Sequence, residues 1–233
     1  MRKNIFDSTI WQTKPTKLAI LIPCRDTIYS LFAASLTELV KTCTVAGVDT
    51  HVIYDSSTIL LNQRQNLANE AVKINADYAL WLDSDMMFPS TTAMRLMSHN
   101  KDVVAANYMK RSVPLTTVAY PQRGDWDNWL PLESQEELEV VEGIGMGCMM
   151  MKVSILGELE KPWFEFEYKD ESWHGEDFYF QKKLQENGHQ IFVDMNLSRQ
   201  IRHVGQWAFG HSIGTNQEQI TKRHLKKGNK NAE

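Results

Sequence analysis

No apolar run in this 233-residue chain approaches the roughly 18 residues of a membrane span. The longest near the front is Leu18 to Ile22. Residues 1–17 carry no apolar h-region, so nothing there marks the chain for secretion. Cysteine is scarce: Cys24, Cys43 and Cys148 are odd in number, widely spaced and form no CxxC. A reduced, cytoplasmic protein without structural zinc is expected. Basic residues do not outnumber acidic ones, at 25 against 29 with net charge −4, which argues against a uniformly basic nucleic-acid coat. The chain lacks a Walker A loop, a GxSxG elbow and an HExxH pair. Gly143, Gly145 and Gly147 miss the GxGxxG spacing and lie late in the chain, which excludes a dinucleotide site. Internal repeats are absent.

What is present is an ordinary globular composition, 42% hydrophobic and 10% aromatic, which excludes disorder. The length fits one domain. Charge is uneven: Glu133, Glu136, Glu137, Glu139 and Glu142 crowd one stretch, and Lys222, Arg223, Lys226, Lys227 and Lys230 another. Both read first as solvated surface.

Strand-like and helix-like segments alternate. Lys17 to Cys24 reads as a buried strand, and Leu31, Phe32, Leu36, Leu39, Val40 and Cys43 recur at helical spacing before Gly47. His51 to Tyr54 is a second strand, and Leu60 to Asn75 a helix with Leu61, Leu67, Ala68, Ala71 and Val72 facing inward. Tyr78 to Leu82 is a third strand, residues 90–99 a helix, and Val103 to Tyr108 a strand. This order implies an α/β fold with a mostly parallel sheet and flanking helices. Ligands then bind beyond the carboxyl ends of the strands. Three polar clusters fall there: Pro23-Cys24-Arg25-Asp26, Asp55-Ser56-Ser57 and Asp83-Ser84-Asp85. Residues 112–138, with Trp126 and Trp129, read as a long loop. Val140 to Val153 is strand-like at both ends, and Met149, Met150 and Met151 are expected in the core. Glu176 to Asn187 is a helix stopped by Gly188, and Gln190 to Met195 a last strand.

Asp83 and Asp85 alternate across Ser84, so on an extended strand end their carboxylates share a face. Such a pair can hold a divalent cation that clamps a diphosphate, or it can be a solvated turn. Glu176 and Asp177 open a helix, where they serve either as acidic residues suited to the macrodipole or as a general base. His203 gains weight as a ligand only beside the two aspartates. The glycines 145 and 147 allow backbone to approach a bound sugar closely.

Together these residues resemble the GT-A glycosyltransferases, specifically the small single-domain enzymes similar to family 2 found in bacteria and tailed phages. The resemblance covers roughly residues 17–207. It rests on Ile22-Pro23-Cys24-Arg25, Asp55, Arg64-Gln65-Asn66-Leu67-Ala68-Asn69-Glu70-Ala71, Trp81-Leu82-Asp83-Ser84-Asp85, Gly143 to Met151, Gly175-Glu176-Asp177-Phe178-Tyr179-Phe180, and His203. It implies a GT-A domain over 1–214, with a nucleotide-binding half at about 17–110, an acceptor half at about 111–214, and a basic, flexible tail over 215–233. It implies Pro23, Arg25, Asp55, Arg64 and Asp83 around the nucleotide. It further implies Asp85, His203 and Asp83 around Mn²⁺ or Mg²⁺, Asp177 or Glu176 as the base, and Gly145, Gly147 and Trp173 toward the sugar or acceptor. Arg25 and Asp55-Ser56-Ser57 depart from the commoner family pattern. The implied donor is a UDP-sugar, and the acceptor is a hydroxymethylated pyrimidine in DNA or a glycan, free or lipid-linked. For DNA, Lys110, Arg111, Arg199, Arg202 and the tail lysines supply a positive track, and Trp126, Trp129 and Trp173 supply stacking. A sugar nucleotidyltransferase and a non-catalytic sugar-binding module are the rival classes.

Overall fold

The structure, a computed structural model, describes residues 15–111, 115–122, 130, 136–169 and 171–205. The first half runs β1 (Lys17–Pro23), α1 (Ser30–Val45), β2 (Asp49–Asp55), α2 (Leu60–Lys73), β3 (Tyr78–Leu82), β4 (Met86–Met87), α3 (Thr92–Ser98) and β5 (Val103–Ala105). The second half runs β6 (Ala119–Tyr120), β7 (Leu138–Val141), β8 (Gly143–Ile144), β9 (Cys148–Lys152), β10 (Glu167–Lys169), β11 (Ser172–His174), α4 (Glu176–Glu186), β12 (Ile191–Asp194), α5 (Met195–Ser198) and β13 (Arg202–His203).

The main sheet has the order β2-β1-β3-β9-β5-β12-β7. Parallel pairing joins β1 to β2 and β3, and β5 to β12. Against these, β9 runs antiparallel between β3 and β5, and β7 antiparallel on β12. The mostly parallel α/β sheet expected from the sequence is therefore present, with one reversed strand in its middle. Leu18 to Ile22 are fully buried because both faces of β1 are covered, which is why the strand is apolar throughout instead of alternating. Helix α1 covers the sheet with Phe32, Leu36, Leu39 and Cys43, and α2 with Leu67, Ala68 and Ala71. Met149, Met150 and Met151 are core, as expected. Trp81 meets Phe164 edge-on at 5.6 Å, and Phe164 lies 4.7 Å from Phe180, which ties α4 to the sheet.

Some details differ from the periodicity. Val72 and Leu31, expected inward, are 42% and 48% exposed. The strand expected over 103–108 ends at Ala105, and the hairpin β10–β11 was not foreseen. Within the expected long loop, β6 pairs with β8. Trp126, Trp129, Glu133 and the basic tail lie outside the described residues. Among the described residues no helix is long and apolar enough to cross a membrane.

Asp194, at the end of β12, is fully buried. It accepts hydrogen bonds from Arg95 Nη2 (3.0 Å) and Leu197 N–H (2.8 Å), and meets His99 Nε2 at 2.7 Å. Burial opposes its charge, but these bonds outweigh burial and hold its carboxyl below the ordinary value of 3.8. A carboxyl lowered in the folded state stabilises above its unfolded value, and that stability is lost as pH falls through the folded value. Asp194→Ala should cost about 3 kcal/mol in urea unfolding at pH 7. The gap to wild type should shrink as both are unfolded at progressively more acid pH.

Candidate functional site

At the carboxyl ends of the strands, β1 and β2 finish side by side, with Pro23 in register with Asp55. Cys24 N–H donates to Asp55 O at 3.0 Å, and Gln63 Nε2 on α2 donates to Cys24 O at 2.6 Å. Asp55 accepts from Ser57 N–H (2.8 Å) and Asn66 Nδ2 (2.9 Å). Burial works against its charge, yet these bonds keep its carboxyl below the usual range. Arg25 is exposed beside them. The predicted nucleotide residues Pro23, Arg25 and Asp55 thus sit together at one rim of the sheet.

Arg64 occupies a different place from its neighbours on α2. Its side chain is 3% exposed. Nε donates to Glu176 Oε1 at 2.9 Å, Nη2 donates to Asp83 Oδ1 at 3.3 Å, and the guanidinium lies 5.7 Å from the Trp81 ring centre. A buried cation needs such partners because desolvation is costly. The pairing joins α2, the end of β3 and the start of α4 in one strut. It also separates the two acidic candidates of α4. Glu176 is buried against Arg64, whereas Asp177 lines an open cleft.

That cleft, of about 460 Å³, is also lined by Tyr108, Lys110, Arg111, Val118, Tyr120, Gly145, Phe178 and His203. Burial, with the neighbouring Glu176 charge adding and Arg64 opposing, pushes the Asp177 carboxyl up to about 7. Its Oδ1 accepts from Phe178 N–H at 2.8 Å.

His203 reaches the cleft because β13 pairs with β4, which places it opposite Met86, next to Asp85. Its Nδ1 lies 3.0 Å from Met109 O. A carbonyl only accepts, so in this contact Nδ1 carries a proton, which leaves Nε2 facing Asp85. Nε2 lies 3.4 Å from Asp85 Oδ2, which Arg111 Nη1 also meets at 2.9 Å. The other oxygen, Oδ1, is buried without a hydrogen-bond partner among the described residues. Burial opposes the Asp85 charge, but His203 and Arg111 outweigh it and hold the carboxyl below the usual range. The structure therefore brings Asp85 and His203 together and keeps Asp83 with Arg64. Among the described residues no three His, Cys, Asp or Glu side chains gather as a metal cluster.

Gly145 and Gly147 owe their small size to a tyrosine. A Cβ on either would lie 2.6 or 2.5 Å from the Tyr108 hydroxyl oxygen, which accepts from Gly147 N–H at 3.0 Å. Gly147 O in turn accepts from Asp83 N–H at 3.1 Å, so Tyr108 and the glycine turn fix the end of β3. Gly143 leaves room for the Phe178 ring, and Gln181 grips Ile144 through Oε1 (2.8 Å) and Nε2 (2.6 Å). Sequence reasoning missed Tyr108, although it follows β5 at the ligand end of the sheet, which is a positional signal. Trp173 stands 70% exposed on β11, 5.1 Å from Tyr168, and does not line the cleft.

The Anp1 family, a glycosyltransferase family, matches residues 58–155, from just before α2 through β9. No curated protein matches the sequence. A197 from STIV is a structural neighbour at TM-score 0.52 and 16% identity, covering 84% of this chain and 100% of that one. A Drosophila β1,4-galactosyltransferase 7 mutant, solved in complex with manganese, UDP-Gal and xylobiose, gives TM-score 0.50 and 13% identity. It covers 84% of this chain and 78% of that one. The fold is thus GT-A, as the sequence resemblance implied.

The glycine turn generates a direct test. Gly147→Ala should destabilise by about 1–3 kcal/mol by forcing Tyr108 aside. In a Tyr108→Ala background the same change should cost far less. Urea unfolding of the four proteins reads this interaction, and additive costs would mean that Tyr108 is not what the glycine accommodates.

Proposed function

We propose that this chain, built on the GT-A fold, is a glycosyltransferase that moves a sugar from a UDP-sugar to a hydroxyl acceptor. Asp177 is its general base. Asp85 and His203 are the protein ligands of a divalent cation. The observation that carries this reading is the single cleft shared by Asp177 and His203 at the ligand end of the sheet, with the Asp177 carboxyl pushed up to about 7. A carboxylate that titrates near neutrality is suited to accept a proton in turnover.

The donor set fits Mn²⁺ or Mg²⁺. Asp85 Oδ1 is a buried oxygen without a partner among the described residues, and His203 Nε2, a ring nitrogen able to ligate a cation, lies beside the same carboxylate. Oxygen ligands with one imidazole suit these cations, which keep water or substrate oxygens as further ligands. Asp85 and His203 would hold such a cation, which would supply positive charge opposite a departing diphosphate. Asp83, committed to Arg64, is assigned to the nucleotide with Pro23, Arg25, Asp55 and Arg64, in the half spanning about 17–110. The manganese and UDP-Gal of the Drosophila neighbour are the chemistry we transfer to this site.

In the proposed reaction the acceptor oxygen bonds to the anomeric carbon as the bond to the diphosphate breaks. Asp177 takes the acceptor proton. A single in-line displacement of this kind inverts the anomeric centre. For the acceptor we favour a glycan hydroxyl. Trp173 and Tyr168, four and nine residues before the base, present an exposed pair of aromatic rings inclined at 55°, each an apolar face of the kind on which sugar rings rest. Of the contacts expected for DNA, Lys110 and Arg111 line the cleft and Arg199, Arg202 and Trp173 are exposed, while Trp126, Trp129 and the lysine tail lie outside the described residues.

Asp177→Asn should lower turnover by about 10²–10⁴-fold while UDP affinity stays at its wild-type value. The wild-type rate should rise with pH through about 7, because the base must first shed its proton, and that limb should vanish in Asp177→Asn. Equal loss of UDP affinity would make Asp177 a structural residue. Excess EDTA should suppress transfer, and activity that survives it unchanged would remove the cation from this account.

A further inference from the structure

Arg111 stands out among the cleft residues because it already occupies one side of the proposed cation ligand. Its aliphatic stem packs over Gly205, where an added Cβ would come within 3.1 Å of Arg111 Cδ. Nη1 donates to Val204 O at 3.3 Å and meets Asp85 Oδ2 at 2.9 Å. The side chain is nevertheless 47% exposed, and among the described residues its fork of five N–H donors is only partly used. Lys110, the adjacent cation, is differently placed, with its ammonium against the Tyr120 hydroxyl and 4.9 Å from that ring centre.

A guanidinium and a divalent cation cannot both sit against one carboxylate without repelling each other. The carboxylate ligand of the cation is thus held by a competing charge, on an arm long enough and exposed enough to leave. A guanidinium fork also matches phosphate geometry bidentately, which a carboxylate-bound arginine near a diphosphate site can exploit.

We propose that Arg111 exchanges between two anions. It neutralises Asp85 while the donor site is empty and moves onto the donor diphosphate when the cation takes Asp85. This rests on the cation site proposed above and adds a residue that couples metal binding to nucleotide binding. The nucleotide frees Asp85 by drawing Arg111 away, so each ligand strengthens the other beyond their direct contact. By linkage the strengthening is reciprocal.

The test is a titration of Mn²⁺, with free ion read by electron paramagnetic resonance, for wild type and Arg111→Ala, each with and without UDP. Without UDP, Arg111→Ala should bind Mn²⁺ more tightly than wild type because the competitor is gone. The factor by which UDP tightens Mn²⁺ should be at least about 5-fold smaller in Arg111→Ala than in wild type. Were the influence of Arg111 purely electrostatic, its removal would tighten Mn²⁺ equally with and without UDP, leaving that factor unchanged. An unchanged factor overturns the exchange, as does Mn²⁺ affinity without UDP that is equal or weaker in the variant. Absence of Mn²⁺ binding in both proteins, even with UDP, overturns the cation site itself and the exchange with it.

Discussion

The candidate site is organised around one buried guanidinium. Arg64 projects from α2 beneath the ends of the strands, where its side chain is 3% exposed, and holds Glu176 on one nitrogen and Asp83 on another. Removing one partner from such a group is expected to cost about 3–5 kcal/mol, because the remaining charges stay buried without compensation. The geometry that follows is specific. Asp83 is fixed at the end of β3 by Arg64 on its side chain and by Gly147 on its backbone. Glu176 is used as a structural anion, which leaves its neighbour Asp177 as the carboxylate that lines the cleft. The Glu176 charge then acts on Asp177, adding to burial and outweighing Arg64 in raising its carboxyl.

Much of this arrangement is legible in the sequence, for physical reasons. A strand covered on both faces must be apolar throughout, so Leu18 to Ile22 announce themselves, and Tyr78–Leu82 ends where its apolar residues give way to Asp83. Helix α4 stops near Gly188, whose φ of +87° is accessible to glycine at little cost. The reversed central strand is harder to read. The run from Cys148 to Lys152 looks like any buried strand, and its insertion between β3 and β5 is decided by pairing between distant segments. Helical spacing likewise placed Val72 inward, although that side of α2 lies open.

The site residues divide in the same way. Asp83, Asp85, Glu176 and Asp177 are recognisable because they sit at strand and helix ends, where ligands bind in such sheets. The meeting of His203 with Asp85 depends on the two-residue pairing of β13 with β4, which no local pattern encodes. Sequence also offered a choice between Glu176 and Asp177 that only the position of Arg64 separates by exposure. Beside the sugar approach expected of them, the glycines make room for Tyr108 and Phe178, and Gly145 also lines the cleft. Glycine in a sequence records a close approach without naming what approaches.

The cleft as a whole balances opposite charges across a short distance, with Arg111 and His203 facing Asp85 while Asp177 is held near neutrality by its surroundings. A site of this kind is prepared for a ligand that brings both negative phosphate and a hydroxyl that must lose a proton. The most direct measurement is of the leaving group. UDP-glucose and UDP-galactose are incubated with the full chain, Mn²⁺ and a mixture of glycan acceptors, and the products are separated by mass. The account predicts UDP together with an equal amount of glycosylated acceptor. Release of sugar phosphate with pyrophosphate exchange, or binding of the nucleotide sugar without turnover of any donor, would contradict it.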